Sequence, residues 1–270
     1  MNVTMQLYGQ VLKKRCFSQT FLEEIFKDKK KASNAVYNLK KNNLIISIKK
    51  NLYTAISLSD KTPVATSFEI ASNITESSFV SHHTAFEFYG LANQVYYDVY
   101  VSSDSKFNNF EFDDKTYKFI HNKFDFGITE IKHIKVTDLE RTVIDSIKDF
   151  EKIAGLEEVL RCIELIKYLD EIKLKKYLLQ YNNQFLFQKV GFILSNFSDL
   201  ELSKEFFDFC KINAKNSCRY LCNKEDYKDF EFNSEWNICV PKQIYLIFDE
   251  GENLDVWVYK RRFKYNGKRI

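Results

Sequence analysis

The stretch from Ser18 to Ile56 constrains this chain more than any other, because its helical apolar spacing breaks once, resumes and then gives way to strands within forty residues. Phe21, Leu22, Ile25 and Phe26 follow Ser18 at helical spacing, and Ser18 is a good N-cap. Lys27-Asp28-Lys29 then interrupts the pattern. Ala32, Ala35, Val36 and Leu39 resume it at i, i+3, i+4 and i+7, a narrow apolar stripe that predicts a closely packed second helix. The opposite side of that helix carries Lys30, Lys31, Ser33, Asn34, Tyr37, Asn38 and Lys41, whose amides, hydroxyls and ammonium groups are the chemistry that reads base edges and phosphates. Leu44–Ile48 and Leu52–Ile56 read as two strands around Lys49-Lys50-Asn51, with both lysines at the tip of a hairpin. The order predicts a helix-turn-helix with a wing, preceded by a packing helix from Met5 to Lys14 that offers Leu7, Val11 and Leu12.

Charge separates this region from the rest. Met1 to Tyr53 holds eleven Lys/Arg and three Asp/Glu, whereas Thr54 to Tyr259 holds 23 and 34. Phosphate neutralisation supplies most sequence-independent affinity for DNA, so a nucleic-acid surface belongs to the N-terminal region and the acidic body repels such a partner. Lys260 to Ile270 adds six Lys/Arg and no acid; a solvated tail and an auxiliary DNA contact are both compatible with it.

Seven glycines and two prolines in 270 residues leave few breaks, and Pro63 closes the polar run Ser57–Thr62. The expected division is a winged-helix domain over 1–60 and a second domain over 61–270, strand-rich at 92–136, helical at 138–215, strand-rich and basic at 216–270. The fold class is α+β, the second part mixed α/β with a small antiparallel sheet and a helical C-terminal half. Val64–Ile74 and His82–Tyr89 predict helices, the second capped by Ser81 and closed by Gly90. Val95–Ser102, Thr116–Ile120 and Glu130–Val136 predict strands. Thr137-Asp138-Leu139-Glu140 matches a capping box, and the helix it opens places Arg141 and Asp145 at i, i+4 as a surface pair. Helices follow over Leu156–Tyr168, Ile172–Tyr181, Gln184–Phe197 and Lys204–Ala214, then strands near Gln243–Phe248 and Asp255–Val258.

No apolar run is long enough to span a bilayer, and no secretion signal is expected from Met1–Lys14, which together predict a cytoplasmic protein with reduced thiols. Cys210, Cys218, Cys222 and Cys239 lack a C-x-x-C knuckle, so buried thiols are expected rather than zinc. No P-loop or G-x-G-x-x-G is present, which predicts no nucleotide cofactor, and no cofactor of any kind is expected. No Gly-Ser turn with paired aspartates is present either, which argues against a nucleotidyltransferase. Glu130-Ile131-Lys132, with Asp98 or Asp113-Asp114 as the distant acid, has the bare spacing of a metal-dependent nuclease, and alternating charges on a strand explain the same letters. His82-His83 beside Ser81 reads as capping and packing.

The order of these parts, with K-N-L-Y at Lys50–Tyr53, F-V-S-H-H-T-A-F-E-F-Y-G-L at Phe79–Leu91 and V-T-D-L-E-R-T-V-I-D-S-I at Val136–Ile147, resembles the AbiEi-type antitoxins of type IV toxin–antitoxin systems, first associated with abortive phage infection. The resemblance covers about Phe17 to Phe197. It implies an N-terminal winged helix that binds operator DNA and represses its own operon, and an antitoxin domain that neutralises a nucleotidyltransferase-like toxin encoded beside it. It places operator contacts on Lys31–Asn42 and Lys49–Asn51, makes the Ser81 helix and the E-R-T-V-I-D stretch framework, and implies no catalytic or metal-binding residue. Asn51 stands where the family's wing carries glycine, and asparagine tolerates the left-handed turn. Partners on this reading are double-stranded operator DNA and the toxin, with dimeric binding to inverted repeats usual for such regulators and no membrane. A winged-helix transcriptional regulator with a ligand- or protein-sensing second domain is the alternative.

Overall fold

The computed structural model describes residues 3–214 and 217–249 of the chain. The predicted strand at Asp255–Val258 and the basic tail lie outside them. The fold is mixed α and β, and its contacts divide into two compact units: Met1–Phe88 with Val95–Asp138, and Tyr89–Gln94 with Leu139–Ile270.

The first unit begins with α1 (Val3–Lys14), β1 (Cys16–Ser18), α2 (Gln19–Phe26) and α3 (Lys29–Lys41), then β2 (Ile45–Lys49) and β3 (Leu52–Ala55). Ser18 caps α2 by accepting the Phe21 N–H, and Lys27 ends it in the left-handed conformation. Asp28 caps α3 through the Lys31 N–H, so the three-residue break is a C-cap followed at once by an N-cap. Leu7, Val11, Phe17, Leu22, Ala32, Leu39 and Tyr53 close one core beneath these elements. The sequence did not predict strand β1, which lies antiparallel to β3, so the hairpin belongs to a three-stranded sheet ordered β1-β3-β2 with β3 at its centre.

The polar run after β3 is a tight loop. Ile56 bridges Pro63, and the Ser57 N–H donates to the Thr62 carbonyl at 2.9 Å. The helix expected from Val64 shortens to α4 (Ser67–Ser72), because Thr66 and Glu69 form a capping box at its start. Arg15 ties α4 to the N-terminal elements: its Nε donates to Glu69 Oε1 at 2.7 Å and its Nη2 to the Val64 carbonyl.

Next come β4 (Phe79–Val80), α5 (His82–Tyr89), β5 (Asp98–Ser103), β6 (Phe110–Phe112), β7 (Lys115–His121), β8 (Ile128–Ile131) and β9 (Ile134–Thr137). The sheet is mixed, not antiparallel, with order β6-β7-β5-β4-β9-β8 and parallel pairing of β5 with β7 and β4 with β9. Glu130–Val136 is therefore a hairpin rather than one strand: Lys132 and His133 both take positive φ (50° and 66°) in a two-residue turn. The Asp113-Asp114 pair turns β6 into β7 in the same way, with φ of 52° and 57°.

The second unit is built from α6 (Leu139–Asp149), α7 (Leu156–Glu164), α8 (Glu171–Tyr181), α9 (Gln184–Leu194) and α10 (Lys204–Asn213), then β10 (Arg219–Tyr220), β11 (Phe230–Asn233), β12 (Ile238–Pro241) and α11 (Gln243–Asp249). Two sequence expectations are corrected here. Arg141 and Asp145 are not a surface pair: both are buried, 3.2 Å apart, and the Tyr181 hydroxyl donates to the same carboxylate. Gln243–Phe248 is a helix, not a strand. Its short apolar run fits either period, and burial of Ile244 with packing of Phe248 on Phe192 and Phe197 places i and i+4 on one side. α9 is buried on almost every side, as its composition predicts.

Candidate nucleic-acid interface

α3 forms because its four apolar positions fall on one stripe, and it stops where Asn43 takes φ of 53° and the Leu44 N–H returns to the Leu39 carbonyl. Ala32, Ala35, Val36 and Leu39 are buried. The side chains of Lys30, Lys31, Ser33, Asn34, Tyr37, Asn38 and Lys41 are all exposed, Tyr37 to 64%. At 100° per residue, Lys30, Asn34, Tyr37 and Lys41 sit at the centre of that face, with Ser33 on one flank and Lys31 and Asn38 on the other.

The flanks differ chemically. Ser33 is engaged within the module: its hydroxyl donates to the Lys29 carbonyl at 2.9 Å and accepts from Gln19 Nε2 at 3.3 Å. On the opposite flank Lys31, Asn34 and Asn38 border a cleft of about 230 Å³ floored by Leu7, Phe26 and Leu39. No local pattern foretells this cleft, since α1 and the end of α2 form it only after packing.

The two lysines of the hairpin also separate. Lys50 is exposed at the tip beside Asn51, whose φ of 62° makes the turn. Lys49 is half-buried, with its ammonium 5.2 Å and 5.6 Å from the ring centres of Phe107 and Phe110, and burial lowers its pKa from the ordinary lysine value. These rings stack into an aromatic group with Tyr117 and Phe119 on the six-stranded sheet. Sequence reasoning offered no reason to separate the two lysines. Lys40, which it left out, also lies over a ring, that of Tyr53, at 5.3 Å.

The residues considered for chemistry are not assembled. Asp98 and Glu130 stand on β5 and β8, three strand spacings apart, roughly 14 Å or more. Asp113-Asp114 is farther off, at the opposite edge, and Asp98 is paired with Lys118 at 2.6 Å. Glu130 and Lys132 are exposed at a hairpin tip. Ser81, His82 and Thr84 fasten α5 to β5: Ser81 Oγ lies 2.7 Å from Ser102 Oγ and 2.8 Å from His82 Nδ1, and Thr84 Oγ1 accepts the Tyr100 N–H. Of the four C-terminal cysteines, Cys210 and Cys222 are buried apart from the pair Cys218 and Cys239.

No protein-family model and no curated protein matches the sequence. Among solved structures, the crystal structure of the RV2827C protein from Mycobacterium tuberculosis is similar at a TM-score of 0.64, with 7% identity, over 91% of this chain and 93% of that one. The likeness is one of fold. No helix among the described residues is long and apolar enough to cross a membrane.

Proposed function

We propose that this chain is a DNA-binding antitoxin of the AbiEi type, whose N-terminal elements act as a winged helix on operator DNA. The observation that carries the DNA-binding half is α3: a helix packed by four apolar residues presents lysines, asparagines and a tyrosine outward, in a region with eleven Lys/Arg and three Asp/Glu. In this reading α3 enters the major groove, with Asn34 and Asn38 toward base edges and Lys30, Lys31 and Lys41 toward phosphates. Lys50 reaches the backbone from the wing, while Lys49 holds the wing in place. The antitoxin half rests on the resemblance of Phe79–Leu91 and Val136–Ile147, and its partner is the nucleotidyltransferase-like toxin encoded alongside.

The test is co-expression with the neighbouring reading frame, comparing the full chain with a full-length Asn34→Ala/Lys41→Ala/Lys50→Ala variant. Point changes are preferable to deleting residues 1–60, because Arg15 and Lys49 tie that region to α4 and to the sheet. The expected result is a toxic neighbour rescued by both chains, with loss of operator binding in the variant only. A harmless neighbour would remove the antitoxin half and leave a regulator. Equal operator binding by both chains would move the DNA surface away from α3.

A further inference from the structure

The second unit carries a thiol pair that the proposed function does not use. Cys218 Sγ and Cys239 Sγ lie 3.3 Å apart, and Cys218 is exposed. Their approach is organised by the fold. β10 runs parallel to β12, with Tyr220 opposite Cys239, and the Leu221 N–H donates to the Cys239 carbonyl at 2.9 Å. The buried Gln188 of α9 reaches the segments that lead into both strands: its Nε2 lies 3.4 Å from the Ser217 carbonyl, 3.2 Å from that of Trp236 and 3.4 Å from that of Asn237. One amide thus contacts the residue before Cys218 and the two residues that lead into β12. The other four cysteines are buried.

We infer that Cys218 and Cys239 form a reversible dithiol–disulfide site for a peroxide oxidant. The exposed Cys218 thiol gives up its proton and its sulfur attacks one peroxide oxygen; the O–O bond breaks, and the departing hydroxide takes that proton and leaves as water, giving a sulfenic acid. Cys239 Sγ then attacks the Cys218 sulfur, displacing a second water as the S–S bond forms. Two thiols and one hydrogen peroxide become one disulfide and two waters, the thiols losing two electrons and two protons to the oxidant. Cys239 is less exposed than Cys218, and burial with the adjacent Cys218 raises its thiol above the ordinary pKa, so Cys218 is the sulfur that meets peroxide first. The sulfurs must close from 3.3 Å to about 2.05 Å, a movement the exposed side of the pair can supply.

The experiment is exposure of the fully reduced chain to hydrogen peroxide, followed by intact-mass and peptide mapping. The expected product is a monomer lighter by about 2 Da, with a 218–239 cross-link, four remaining titratable thiols and full reversal by dithiothreitol. The Cys239→Ser chain should stall with Cys218 as a sulfenic acid trapped by dimedone, and Cys218→Ser should give no cross-link. Six unreacted thiols, a Cys218–Cys222 bond, or a Cys218 bond between two chains would each overturn the assignment. The decisive mass is read on the unmodified sequence, so a misfolded variant leaves the test intact.

Discussion

Gly191 is the residue whose side chain, or lack of one, is most tightly dictated by its surroundings. A Cβ there would meet the Trp236 indole at 2.1 Å and 2.3 Å, and Trp236 is only 3% exposed, with Phe207 against it. Gly191→Ala should destabilise the second unit by about 1–3 kcal/mol, since the buried indole must shift from its place against Phe207 to admit the methyl group. A thermal or urea midpoint equal to the parent's would show that the indole relocates freely. Arg141 poses the opposite problem, a charge held at 2% exposure. Arg141→Leu leaves the buried Asp145 carboxylate without its guanidinium and should cost about 3–5 kcal/mol in urea unfolding. A loss under about 1 kcal/mol would return the pair to the surface role the sequence suggested. The spacing i, i+4 was legible; the burial was not, because Tyr181, whose hydroxyl meets the same carboxylate, comes from 36 residues along the chain.

At the scale of the element, α3 was the most legible part of the chain. Its stripe, break and exposed face follow from local spacing, which is why the helix ends fall within two residues of those expected. On the proposed DNA-binding reading, Asn34→Ala or Asn38→Ala should cost about 1–3 kcal/mol at a cognate base and little on unrelated DNA, as read by anisotropy with matched duplexes. Lys50→Ala should weaken all duplexes alike and flatten the salt dependence by about one unit of slope. Lys49→Ala is expected to behave differently: binding falls because the β2–β3 hairpin loses its position, with the salt slope less changed. Identical salt slopes for the two lysine variants would end the distinction drawn from the Phe107 and Phe110 contacts. The hairpin's neighbours could not be read from the sequence, since residues 49 and 107 meet only through the six-stranded sheet.

At the scale of the whole molecule, buried thiols couple stability to alkaline pH. Burial pushes Cys16 and Cys210, one in each unit, up to about 12 from an ordinary value of 9.0. Between those limits the folded chain keeps protons that the unfolded chain releases. The stability contributed is complete below pH 9 and is lost as pH rises toward 12, by about 1.4 kcal/mol per pH unit for each thiol. Melting of the reduced protein at pH 8 and pH 10.5 should show this fall, reduced in a Cys16→Ala chain. A melting temperature flat across that interval would mean that the thiols reach solvent in the folded state.

Local order determined what the sequence could state by itself: the caps at Ser18 and Asp28, the stripe of α3, the helices from α6 to α10, and the charge excess of the first fifty-three residues. Each depends on neighbours within a few positions, where spacing and side-chain chemistry act directly. Tertiary structure alone decided which strands pair in parallel, that Gln243–Asp249 winds as a helix, that Lys49 lies over rings, and that Cys218 meets Cys239. Those outcomes depend on contacts between residues far apart in the chain, and hydrophobic burial, being non-directional, does not encode them in any short stretch.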